Sequence, residues 1–398
     1  MRVGKHGFSL SSDSFHGAWR CIEKMAMKVT FWTSVEYMSF MNGLLREMRH
    51  LGIDGIQKFQ ISHASYRKAR SPLVLRTRMY LSYPIKIIRH FLLQPDEDIA
   101  VVTTNTFYAP FLATIFRRKN QKVVHLVYDL FPDALEISEE MRRNALLIKL
   151  LGLFARSTFR RADANIFLGR RIMESAERRY GKIPHAQVIA VGADSALFPD
   201  FPELDSSPVR ILYCGNMGHM HDTSTIEELL LRGDGALAGT RWIFHASGAG
   251  YGRLAGSICN CTESGLVMLG EALDDDTWVD IMRTAHVALV TMKAGAEKVV
   301  MPSKTYSAMA AGQAILAICP RASDLADLLV QHDCGWVVEP GDAVGLQSTV
   351  SLIAENPDLV LEKRRNAWKA ARNNFSAPVL ASEWKGVFDF LQKQKAER

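Results

Sequence analysis

The stretch Met301–Leu316, MPSKTYSAMAAGQAIL, limits the chain to a small set of folds. Pro302-Ser303-Lys304 opens it as a loop carrying a hydroxyl, a cation and unpaired backbone N–H groups. Small and apolar residues then form a helix that breaks at Gly312, and Ala314–Ile318 continues as an apolar strand. Helix and strand in such close succession are the working unit of an α/β domain. A loop that feeds a helix N-terminus favours an anion, because free N–H groups and the helix dipole both face it. Lys304 adds an ammonium suited to phosphate. The same residues also suit an ordinary strand–loop–helix unit, with Pro near the helix start for conformational reasons.

The alternation recurs along the chain. Lys28–Trp32 reads as a strand and Met38–Leu51 as an amphipathic helix, and the turn between them lacks the glycines of a dinucleotide fingerprint. Ile99–Thr103 and Lys122–Tyr128 are strands separated by a helix over Pro110–Arg118. Asp129 falls at the carboxyl end of the second, where open α/β sheets gather ligands. It reads as a reacting or positioning carboxylate, or as a turn aspartate; Asp133 caps the helix that follows. Asn165–Leu168, a helix over Gly169–Tyr180 and the run Val188–Asp194 close a first domain. Residues 198–208, rich in Pro, Asp, Glu and Ser, read as a linker.

Val209–Cys214 opens a second domain and runs into Gly215-Asn216-Met217-Gly218-His219. Glycines in a strand–helix turn let phosphates approach the backbone, although any tight turn uses them. Arg241–His245 leads to a second glycine turn at Gly248, and Leu266–Gly270, Val287–Thr291 and Gly335–Pro340 supply further strands. The final helix, Pro378–Lys393, presents Val379, Trp384, Val387, Phe388 and Leu391 on one face.

Composition sets the boundaries of function. At 398 residues, 48% hydrophobic and 23% charged, the chain suits two globular domains. Its six cysteines form no CxxC pair and no disulfide framework, which fits a reduced, cytoplasmic setting. No apolar run reaches the roughly 18 residues of a membrane span. Residues 1–26 read as a poorly ordered extension. Charge divides unevenly: residues 1–200 hold 30 Lys and Arg against 18 Asp and Glu, a net +12, whereas 201–398 hold 18 against 24, a net −6. The first half therefore suits an anionic partner. No nucleic-acid-binding signature accompanies it, which favours an anionic membrane surface over nucleic acid. The basic segment Tyr66–Leu93 reads equally as a membrane-surface helix or as a core helix with a solvated basic face.

P-S-K-x-Y-x-x-M-A-A-G at 302–312, followed by its strand, resembles the nucleotide-sugar loop of family-4 retaining glycosyltransferases of the GT-B fold, in particular the bacterial enzymes that build surface polysaccharides. H-L-V-Y-D-L-F-P-D around Asp129 and Y-C-G-N-M-G-H-M-H-D from Tyr213 resemble further segments of that family, and the resemblance covers about residues 122–392. It implies two doubly wound Rossmann-like domains facing a cleft: 27–197 on the acceptor side, 209–375 for the nucleotide sugar, and 376–398 as a helix crossing back. It also implies a nucleotide-sugar donor, a saccharide or lipid-linked acceptor, retention of anomeric configuration, and no cofactor or metal. Gly215, Asn216, Gly218, His219, Gly248, Ser303 and Lys304 would hold the donor, Tyr306 and Ser307 its nucleoside, and Asp129 and Glu297 the acceptor and sugar. Asp274-Asp275-Asp276 reads as a helix start rather than a metal pair.

The turn after Lys28–Trp32 lacks the glycines many GT-B enzymes have there, Gly192-Ala193-Asp194 resembles the family's N-G-V-D turn with its Asn replaced, and two further departures bear on the donor. Ser307 stands where many members carry a ribose-binding glutamate, and His219 and His221 stand where many carry Arg and Lys for the diphosphate. The rival expectations are therefore a sugar-nucleotide epimerase of the same fold and a non-catalytic subunit supporting a partner transferase.

Overall fold

Segments of three to nine residues, most of them apolar and bounded by turns, assemble into two parallel sheets. The computed structural model describes residues 27–36, 39–62, 77–93, 97–104, 106, 108–137 and 145–396. The expected extension at 1–26, and Arg67, Lys68, Arg70 and Arg76 of the basic segment, lie outside the described residues.

The first sheet contains β1 (Met27–Val35), β2 (Ile53–Ile61), β3 (Ile99–Thr103), β4 (Lys122–Val127), β5 (Ala164–Phe167) and β6 (Ala186–Val188), in the order β2-β1-β3-β4-β5-β6. Every pairing is parallel; Val29 faces Ile99, and Val101 faces Val124. Around it run α1 (Ser39–His50), α2 (Tyr83–Leu93, preceded by a π-helical turn at Arg78–Ser82), α3 (Ala109–Phe116), α4 (Asp133–Ile137), α5 (Ala145–Arg161) and α6 (Arg170–Tyr180). Strand β3 and strand β4 are buried at every position, and all their residues but Thr103, Lys122 and His125 are apolar.

The second sheet holds β7 (Val209–Asn216), β8 (Thr240–Ser247), β9 (Val267–Gly270), β10 (Val287–Thr291), β11 (Ala314–Ile318) and β12 (Gly335–Val338), in the order β12-β11-β10-β7-β8-β9, again all parallel. Its helices are α7 (Ser224–Leu230), α8 (Ala249–Ser257), α9 (Asp275–Thr284), α10 (Lys304–Ala310), α11 (Asp324–His332), α12 (Ala343–Glu355) and α13 (Pro357–Asn374). Strand order reverses between β1 and β3 in one sheet and between β7 and β10 in the other. At such a reversal the helices diverge to opposite faces and open a crevice beyond the strand ends, where α/β folds bind ligands.

The halves share one apolar core. Ile166 and Leu168 belong to the same buried cluster as Met292, Val299 and Ala310. The last helix, α14 (Ala377–Ala396), packs on α1, and Trp384 meets Phe31 of β1 edge-on at 5.4 Å. Residues 198–208 cross between the sheets without helix or strand. They are strapped down: Arg364 donates to Pro202 O at 2.7 Å and to Gly312 O at 2.9 Å, and Phe198 is 1% exposed.

Candidate active site

The carboxyl ends of the two sheets face a common cavity of about 1020 Å³. On the second-sheet side, β7 ends in Gly215, whose φ of +116° belongs to the region glycine tolerates best. The chain then turns through Asn216-Met217-Gly218-His219. Met217 N–H donates to Ser247 O at 2.7 Å, and Gly250 N–H donates to Met217 O at 2.9 Å, so the two glycine turns are laced together. Gly248 makes that lacing feasible. With φ of +103°, it lies so close to the first turn that a Cβ would sit 2.7 Å from the Met217 carbonyl oxygen. Ser247, rather than Gly248, lines the cavity.

Lys304 begins α10, and its side chain reaches back across this turn. Its Nζ donates to Tyr213 Oη at 2.5 Å and to Asn216 O at 3.1 Å, and it lies 4.0 Å above the Tyr213 ring. Tyr213 Oη in turn donates to Asn216 O at 2.9 Å. His221 Nδ1 accepts the Gly218 N–H at 3.0 Å, which places the proton of the neutral ring on Nε2. That atom is 3.5 Å from Lys304 Nζ, so the imidazole gives the ammonium no acceptor. Burial, with Lys304 close by, pushes His221 down to about 3, and burial brings Lys304 down to about 7. The result is a partly buried cation with two neutral oxygen partners and no carboxylate partner among the described residues. Such an arrangement suits an anion.

Across the cavity, β4 ends at Tyr128 and Asp129. Thr104 Oγ1 accepts both backbone N–H groups, at 3.0 and 3.2 Å. Asp129 forms an antiparallel bridge with Val300, and Leu130 N–H donates to Val299 O at 2.9 Å. The chain bearing Asp129 is thus joined to the one that leads into Lys304. Burial pushes the Asp129 carboxyl up to about 6.

Gly215, Asn216, Gly218, His219, Ser303, Lys304, Ser307 and Asp129 all line this cavity. Two others do not. Tyr306 lies on the buried side of α10, 2% exposed, with its ring 4.9 Å from Phe375. Glu297 sits in a 3-10 turn at Ala296–Lys298, where its Oε2 is buried without a hydrogen-bond partner and the residue stays off the cavity wall. Asp133 forms an ion pair with Arg179 at 2.8 Å and accepts from Tyr180 Oη at 2.7 Å, a role beyond capping. Asp274 caps α9 by accepting Thr277 N–H at 2.8 Å. Among the described residues, no group of three His, Cys, Asp or Glu side chains could hold a metal ion.

The cavity wall also contains Glu36, Tyr80, Asp194 and Trp278, which sequence reasoning passed over. Glu36 follows β1 directly, and its position at a strand end is a signal that could have found it. Asp194 is half of an ion pair with Arg46 of α1 at 3.0 Å, a contact that only the folded chain reveals.

No family model matches the chain. Over 254 residues it is 24% identical to a probable glycosyltransferase, WbjE, of Pseudomonas aeruginosa; the match covers 59% of this chain and 60% of that protein. Among solved structures it is similar to sucrose-phosphate synthase from Thermosynechococcus elongatus, at a TM-score of 0.72 and 13% identity over 92% of this chain and 100% of that one. Anabaena HepE in complex with UDP-glucose gives 0.67 and 13% over 91% and 99%. WaaG, a glycosyltransferase involved in lipopolysaccharide biosynthesis, gives 0.64 and 13% over 90% and 99%. Two parallel six-stranded sheets with flanking helices, facing one cavity, give this chain the GT-B fold.

Proposed function

We propose that the protein is a glycosyltransferase that moves a sugar from a uridine diphosphate sugar to a saccharide or lipid-linked acceptor. The observation that carries this reading is the Lys304 ammonium, without a carboxylate partner, facing Asp129 across the cavity. The relative WbjE and the UDP-glucose complex of HepE support the reaction class and the base. Residues 27–197 form the acceptor side and 209–375 the donor side.

In the reaction, the bond between the anomeric carbon and the phosphate oxygen breaks, and one forms to the acceptor oxygen. Lys304 and the N–H groups of the 216–219 turn stabilise charge on the departing diphosphate. Asp129 is within the cavity to orient the acceptor hydroxyl, whose proton passes to the departing phosphate oxygen on the same face of the sugar. Ser307 contributes a hydroxyl on the donor wall. The product retains the anomeric configuration of the donor and extends a surface polysaccharide at the inner face of the plasma membrane.

Calorimetric titration with UDP, GDP, ADP and CMP tests the donor site. UDP is expected to bind best, and Lys304→Ala to weaken it about 10- to 100-fold, the loss of one charge-assisted contact. Radiolabelled transfer from UDP-sugar to membrane lipid, with the product anomer read by NMR, tests the rest. Turnover of the sugar nucleotide without acceptor would mark an epimerase. Absence of nucleotide binding at millimolar concentration would mark a non-catalytic subunit.

A further inference from the structure

Helices α2, α3 and α5 lie side by side along the first sheet and leave an apolar face uncovered. In α5, Leu146, Leu147, Leu150, Leu153 and Phe154 recur at the spacing of a single helix face, and all are exposed, Leu146 at 79% and Leu153 at 62%. Ile148, Thr158 and Phe159 of the same helix already supply its buried side, so the exposed leucines are surplus to the core. Phe154 meets Phe111 of α3 at 4.9 Å, and α3 packs on α2. There the face continues through Leu81, Ile85, Leu92 and Leu93, each more than half exposed. Soluble surfaces rarely keep so continuous an apolar patch without an occupant.

Charge identifies the occupant. Residues 78–93, 108–119 and 145–161 contain no Asp or Glu. Lys149, Arg156 and Arg160 run along one flank of the leucine stripe, with Lys86 and Arg89 on α2, and all five are exposed. A second copy docked through the same face would set cation against cation. An anionic bilayer satisfies both components at once, acyl chains for the leucines and headgroup phosphates for the basic flank. The face also reaches the cavity: Tyr80 lines it, and the adjoining Leu81 is exposed on the outside.

We propose that this face of α2, α3 and α5 docks on an anionic lipid bilayer and holds the cavity rim at Tyr80 and Leu81 against the membrane surface. Docking stands apart from glycosyl transfer; only delivery of a lipid-linked acceptor to the rim rests on that reading.

Flotation of the full chain with phosphatidylcholine vesicles, with or without about 30% phosphatidylglycerol, tests the surface. The protein is expected to float with the anionic vesicles, at least about tenfold less with the neutral ones, and less as salt rises. Leu150→Ser with Leu153→Ser, and separately Lys149→Glu with Arg156→Glu, should each lower partitioning by about tenfold or more while the unfolding midpoint and the UDP titration stay unchanged. Failure of the wild type to float, or equal flotation by both variants, overturns the proposal. So does a dimer in sedimentation velocity that dissolves in the leucine variant while no form floats. Flotation without UDP binding upholds docking and removes the transferase reading instead.

Discussion

Lys304 sits in a niche that withholds water without supplying a counter-charge among the described residues, so binding of a diphosphate there would be proton-coupled. Burial holds it near 7 in the empty site, and a bound diphosphate favours the protonated form. The sign follows: nucleotide affinity is highest below pH 7 and falls as pH rises through 7, until the raised value of the bound state is reached. Calorimetry at pH 8 in buffers of different ionisation enthalpy should show uptake close to one proton, about none at pH 6, and none at either pH for Lys304→Arg. Asp129 has the complementary signature. Burial lifts it to about 6, so turnover should rise with pH through that value as the carboxylate forms. Asp129→Asn should lower kcat about 10²-fold in steady-state assays while UDP affinity stays within about twofold. The part of the cavity wall that was legible, Gly215, Asn216, Gly218, His219, Ser303, Lys304, Ser307 and Asp129, occupies strand ends, turns and the start of α10, whose location local sequence sets. Tyr306 was not, because the side of α10 that faces inward depends on Phe375, which a different helix end delivers. Glu297 escaped for a related reason: a 3-10 turn, with Gly295 in the left-handed region before it, carries the residue away from the wall.

Among elements, the two glycine turns behave as one device. Gly248→Ala forces a Cβ against the Met217 carbonyl at a φ of +103°. A destabilisation of at least about 1–3 kcal/mol is expected from urea unfolding, with weakened UDP binding. Gly252, in the middle of α8 with open space around its Cβ position, is the control, and Gly252→Ala should be neutral or stabilising by up to about 1 kcal/mol. Sequence reading recovered the strands that are buried on both faces, where apolar residues predominate and Lys122, His125 and Asn165 are exceptions. It missed β2, an edge strand whose IDGIQKFQI mixes polar and apolar positions because one side has no neighbour. It also passed over α5, which is apolar on both its buried and exposed sides and so lacks the one-sided periodicity of a surface helix. The run Val188–Asp194 suggests a strand and a turn, whereas β6 covers Ala186–Val188 and the rest is irregular chain ending at the Asp194 cap.

Over the whole molecule, α14 makes the two halves depend on one another. Leu380, Trp384, Val387, Phe388 and Leu391 are all at most 4% exposed, and Trp384 fills the space beside Phe31 in the first sheet. Trp384→Ala should cost about 3–5 kcal/mol in denaturant unfolding, a penalty felt by the first half although the residue belongs to the end of the chain. The antiparallel bridge between Asp129 and Val300, with Leu130 N–H on Val299 O, bears on motion as well. It works as the spine of a book. Any rotation of the halves that kept these two contacts would swing the outer margins apart and leave joined the line where Asp129 and the approach to Lys304 meet. The spacing between that carboxylate and the loop before Lys304 would then stay the same however far the margins opened.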